Sequence, residues 1–267
     1  MFKKRLISGA ILLAAVIVLI VIGRLPLFIF NFAIGIIGLF EFYRTRGVEK
    51  DFLAILGYII AAGYMISVLT AYSYAPVMGL AGSVLILMAA YVIKYPQYRS
   101  DDIFFILGGI LYIPFTLSFI YLSRNLAAGA CVTALIFISA WGNDTCAYCV
   151  GMKFGKKKIF PELSPKKSLE GLIGGIAGAA LLGLIFGAIF NKFLSFSIHP
   201  AFACMIICAV AGFISVLGDL TASAIKRESG VKDYGNLIPG HGGVMDRFDS
   251  LTFAAPAVYI AAIFLGI

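Results

Sequence analysis

Apolar runs of about twenty residues recur from one end of this chain to the other, and that spacing leaves few folds open. Such a run crosses the ~30 Å hydrocarbon core of a bilayer as an α-helix rising ~1.5 Å per residue. The runs are continuously apolar and do not alternate, which implies helices and not a β-barrel. Composition agrees: 61% of the 267 residues are hydrophobic and 13% are charged, where a soluble domain has ~25% charged. The expected fold class is therefore an all-α polytopic membrane protein. About nine transmembrane helices are expected, at 7–23, 25–43, 52–72, 76–95, 101–122, 126–149, 169–190, 200–225 and 251–267.

The charges that remain carry orientation. Nine alternating spans with the N-terminus in the cytoplasm put eighteen Lys and Arg inside and three outside, namely Arg24, Arg124 and Lys192. The N-terminus begins with Lys3, Lys4 and Arg5 and has no small-residue cleavage pattern, so it reads as an uncleaved first helix. A net charge of +8 invites a nucleic-acid partner, but these charges lie between hydrophobic segments on one side, which points to the lipid bilayer and not to nucleic acid. Two inside loops are long and charged, 151–168 and 226–247. The division expected is 1–122 as scaffold and lipid access, and 123–267 as the catalytic half with both loops. Cys131, Cys146, Cys149, Cys204 and Cys208 lie in or beside apolar segments without a second zinc-type pair, and read as small hydrophobes. The glycines of GLIGGIAGAALLG read as helix packing.

Only thirteen carboxylates exist. Glu41, Glu49, Asp51, Asp101 and Asp102 fall at span ends, where solvation suffices. Asp144 and Asp219 fall inside apolar runs, where an ionisable group costs ~2.5–3.5 kcal/mol and marks a functional site by default. Asp219, Ser223 and Lys226 or Arg227 share one helical face. Asp246 and Asp249 sit three residues apart at the start of the last helix, where its dipole favours carboxylates. The His241-Gly242-Gly243 turn would let backbone N–H groups approach an anionic ligand. The lysines of the other loop, Lys153 to Lys167, suit either anionic head groups or a triphosphate, and Ser168 with Glu170 reads as a helix cap. P-loop, GxSxG, DDxxD and CDP-alcohol transferase motifs are absent.

The stretch Ser223–Asp249 has the form S-x-Φ-K-R-x4-K-D-x-[small]-x2-Φ-P-x-H-G-G-Φ-x-D-R-Φ-D, where Φ is apolar. Upstream stand Asp144, Ala147-Tyr148, Gly151, the run Ser164 to Ser168, and Glu170-Gly171. Together these resemble the membrane-bound phosphatidate cytidylyltransferases, or CDP-diacylglycerol synthases, over roughly 141–249. The resemblance implies transfer of CMP from CTP to phosphatidic acid at the inner face of the cell membrane, with Mg²⁺ and a possible second cation. It implies Asp219, Asp246, Asp144 and Asp249 as metal ligands. Lys167, Lys226, Arg227 and Arg247 would contact phosphates, and Ser168, Ser223, Lys232, His241, Gly242 and Gly243 would bind substrate. It also implies a homodimer. Two rivals stay open: a CTP-dependent lipid-alcohol kinase, and an ion-coupled transporter using Asp144 and Asp219.

Overall fold

The computed structural model describes residues 2–70, 74–238 and 242–267, with side chains from residue 9 onward. Among these, secondary structure is helical, apart from two isolated antiparallel bridges, Lys158 with Ser168 and Ile238 with Gly242. Seven helical stretches are long and apolar enough to cross a membrane. They are α2 (Arg24–Arg44), α3 (Phe52–Leu69), α4 (Ala75–Ile93), the composite Ser100–Arg124, α9 (Leu169–Ile189), α10 (Pro200–Glu228) and α11 (Met245–Phe264). The composite joins α5 (Ser100–Ile110) and α6 (Thr116–Arg124) through a π-helical turn at Leu111–Phe115, where Pro114 has no N–H to give an α-helical ladder.

Seven of the nine expected spans thus meet that length criterion. The other two are also helical. The helix α1 (Phe2–Ile22) is 21 residues long and, among the residues whose side chains are described, is apolar over Gly9–Ile22. The stretch expected at 126–149 is α7 (Gly129–Phe137), a π turn at Ile138–Gly142, and α8 (Asn143–Phe154). Two boundaries move with consequences for the site. Helix α10 runs to Glu228, so Lys226 and Arg227 are helical. Helix α11 begins at Met245, so Asp246 and Asp249 stand at its start, as expected, and Arg247 is held on the same rigid element.

The C-terminal half packs through small residues. Gly171, Gly175, Ala179, Gly183 and Gly187 form a buried stripe at every fourth position of α9, as the glycine-rich sequence predicts. A Cβ at Gly183 would lie 2.5 Å from the Cys204 carbonyl oxygen, so the backbones of α9 and α10 nearly touch. Cys204 and Cys208 are fully buried there as small hydrophobes. At the far end of α1, the Arg124 guanidinium donates to the carbonyls of Ile20 (2.8 Å) and Val21 (3.3 Å), satisfying helix-terminal acceptors that lack an intrahelical partner. Gly23 takes φ +64 directly against that guanidinium, where a side chain would collide.

Candidate active site

Two cavities meet at the end of the bundle where α8, α9, α10 and α11 come together, and Asp144 lines both. The first, about 440 Å³, is walled by Lys158, Lys166, Lys167, Ser168, Tyr148 and Asp219. The second, about 320 Å³, is walled by Trp141, Asp246, Arg247, Asp249 and Ser250. Asp144 reaches this junction because α8 follows directly on the π turn, a helical irregularity that recurs at functional sites.

The lysine wall is a folded loop. Ile159 N–H donates to the Lys167 carbonyl and Leu169 N–H to that of Lys157 (2.9 Å), around the Lys158–Ser168 bridge. The Glu170 carboxylate accepts from the amides of Lys156 and Lys157. Ser168 Oγ caps α9 by accepting the Gly171 N–H at 3.1 Å, as its position before the helix predicts, and so holds the loop at the helix N-terminus. Lys167 ends up with its ammonium 2.5 Å from Asp219, both half-buried.

The other wall is a brace around Asp246. Its Oδ1 accepts from Lys226 Nζ at 2.8 Å, and its Oδ2 accepts the amides of Tyr234 (2.8 Å) and Gly243 (2.9 Å). All four of these residues are buried. Tyr234 is fixed in turn through its hydroxyl to the Ala222 carbonyl, and its ring lies under the Lys226 ammonium. Asp249, also buried, faces the second cavity and accepts the Ser250 amide. Asp144, Asp219 and Asp249 lie within electrostatic reach of one another, with Lys167 and Arg247 in reach of Asp144 and Lys226 in reach of Asp249.

Part of this brace comes from the first half of the chain, outside 123–267 where the catalytic residues are expected. Glu41 is not solvated at a span end: it is 3% exposed, and accepts the amides of Val244 (3.0 Å) and Met245 (2.8 Å). It caps α11 from another helix, since Val244 supplies no cap. Arg44, one turn on, donates to the Tyr234 carbonyl at 2.5 Å. The reason sequence reading missed Glu41 is its place near the end of an apolar run; the depth test applied to Asp144 would also have marked it. The amides of Gly243, Val244 and Met245 thus meet protein carboxylates and do not stand open to a ligand. Glu41→Ala is expected to strand two buried donors and cost about 3 kcal/mol. A lowered melting midpoint in detergent, with Glu41→Gln falling between, would register it.

The other expected residues divide. Ser223 is half-buried on α10, while Arg227 and Lys232 are exposed, and none of the three lines either cavity. Gly242 takes φ +89 and its carbonyl accepts the Ile238 amide. His241 lies outside the described residues.

Among the described residues no three His, Cys, Asp or Glu side chains form a ready metal shell. The donor chemistry still fits Mg²⁺, which binds through one or two carboxylates completed by water and substrate phosphate oxygens. Asp144, Asp219 and Asp249 are hard oxygen donors in mutual electrostatic range at the junction. Asp246 would join them only by releasing Lys226 or its two amides.

Comparison with known proteins settles the family. The profile of the Cytidylyltransferase family matches residues 3–265. The phosphatidate cytidylyltransferase of Bacillus subtilis (strain 168) is 32% identical over 265 residues, covering 96% of each chain. The chain belongs to this family. The phosphatidate cytidylyltransferase of Staphylococcus saprophyticus is also 32% identical, over 98% of this chain and 99% of its own length. That of Haemophilus influenzae reaches 52% identity over 122 residues, 45% of this chain and 42% of its own length. Membership makes the protein a nucleotidyltransferase and, with the apolar helices, a multi-pass membrane enzyme.

Proposed function

We propose that this enzyme transfers CMP from CTP to phosphatidic acid, forming CDP-diacylglycerol and pyrophosphate at the cytoplasmic face of the cell membrane. The pairing of two cavities at Asp144, one lined by lysines and one by Arg247 beside an apolar slot, carries the reading. CTP enters the first cavity from solution, its β- and γ-phosphates against Lys158, Lys166 and Lys167. The lipid phosphate takes the second, beside Arg247, whose planar fork suits phosphate oxygens. A lipid phosphate oxygen then attacks the α-phosphorus in line; the bond to the β-phosphate oxygen breaks and pyrophosphate departs. No protein nucleophile is needed, because the lipid phosphate is already an anion.

The side chains have positioning and electrostatic work to do. Lys167 is held over Asp219 and moves onto the incoming phosphates. Lys226, locked to Asp246, keeps α10 and α11 in register so that Asp219 and Asp249 face the junction together. Arg227, exposed at the end of α10, and Lys232, exposed just beyond it, draw anionic reactants to the mouth. Mg²⁺, when bound by Asp144, Asp219 and Asp249, would offset the repulsion between the two reactants and the charge on departing pyrophosphate. The excess of Lys and Arg in alternate loops supports a cytoplasmic site. A homodimer and a second cation belong to the same reading.

CTP labelled in its γ-phosphate separates this reaction from lipid-alcohol phosphorylation. Purified protein given phosphatidic acid, diacylglycerol as a lipid alcohol, and Mg²⁺ is expected to release the label as pyrophosphate. Label recovered in lipid, with CDP as the co-product, would overturn the reading.

A further inference from the structure

A third cavity of about 840 Å³, larger than either of the two above, has no charged residue in its lining. It is continuous with the site: Gly9, Trp141 and Thr145 line both this cavity and the one that holds Asp144, Arg247 and Asp249. Chain direction fixes how it lies. Helices α1 and α9 run away from the site, while α7 and the π turn after it run toward it, and α8 starts there. The polar mouth is therefore at Gly9 and Thr145, and the far end is at Val21 and Phe190. Along α1, Gly9 to Val21 spans about 18 Å, slightly more than half of the ~30 Å hydrocarbon core. That is the depth one acyl chain reaches within one leaflet.

The slot is open along α1. Leu13 and Ile17 line it, yet are 47% and 53% exposed, so a chain can enter sideways from the bilayer. At the mouth Trp141 donates through Nε1 to the Arg247 carbonyl at 3.4 Å, an amphipathic ring at the boundary between the polar and apolar compartments. At the far end the Phe186 and Phe190 rings stand 4.6 Å apart. An occupant must therefore be apolar along about 18 Å and anionic at one end, next to Arg247. A helix from a second copy has no such head.

We propose that this slot holds one acyl chain of the lipid reactant, and that the Phe186–Phe190 pair limits the length of chain it accepts. The second chain stays in the bilayer. The proposal rests on the reading that a phosphate-bearing lipid reacts at the polar cavities, and assigns chain selection to residues remote from that chemistry.

Two measurements test it. In the first, phosphatidic acid carrying a diazirine near the end of one palmitoyl chain is irradiated with the unmodified full-length protein in nanodiscs. Adducts are expected on peptides containing Cys131, Leu182 and Phe190; adducts confined to the outer surface of α4 would overturn the proposal. This readout needs no turnover, so a protein that cross-links in the slot yet releases no pyrophosphate would refute the proposed reaction and leave the slot standing. In the second, Ala134→Trp fills the middle of the slot. The ratio of kcat/KM for dipalmitoyl over dioctanoyl phosphatidic acid should fall about tenfold or more, the equivalent of about two lost buried methylenes. Leu85→Trp, on the exposed face of α4, should leave that ratio as it was. Should Ala134→Trp fail to fold, Leu182→Trp replaces it. A folded Trp variant with an unchanged ratio would overturn the proposal.

Discussion

Asp219→Asn should lower pyrophosphate release by about 10²–10³-fold, the loss typical of removing one preorganised electrostatic group from an active site. The substitution keeps shape and volume and removes one negative charge from the junction where Asp144 and Asp249 also stand. It also frees Lys167 from its ion pair. Because the pair is partly exposed, folding should change by no more than about 1 kcal/mol. The signature is therefore a large fall in turnover at a nearly unchanged melting midpoint. Near-normal turnover would remove Asp219 from the chemistry. A collapse of the midpoint would make its role structural instead.

The second large effect falls on stability. Lys226→Met is expected to cost about 3–5 kcal/mol, since it leaves the Asp246 carboxylate buried without its cation. Turnover should fall with it, because Asp246 also holds the amides of Tyr234 and Gly243 and thereby shapes the second cavity. The double variant Lys226→Met with Asp246→Asn discriminates. Removing both charges should restore most of the midpoint, as neutral replacements of buried pairs generally do, while activity stays low. A double variant no more stable than the single one would mean that the pair is not the source of the loss.

Much of the architecture could be read from composition and spacing. Helix period, apolar length and the backbone's need for internal hydrogen bonds act locally, so a single segment reports on itself. The glycine stripe of α9 and the Ser168 cap were equally legible, because each depends on residues within a few turns. Asp144 and Asp219 declared themselves by lying in apolar runs.

What the sequence could not supply was pairing between distant segments. Glu41 meets Val244 and Met245 across about two hundred residues, and nothing local in FEFYR indicates which amides it will find. The partner of Asp246 is Lys226, not a neighbour in its own turn, and the partner of Asp219 is Lys167 from another loop. The sequence by itself determined that this chain is a helical membrane protein carrying buried carboxylates among cations, since burying charge in an apolar run is costly wherever it occurs. Only the tertiary structure decided which cation offsets which carboxylate, and that the cavities meet at Asp144, because those contacts exist only once helices far apart in the chain have packed together.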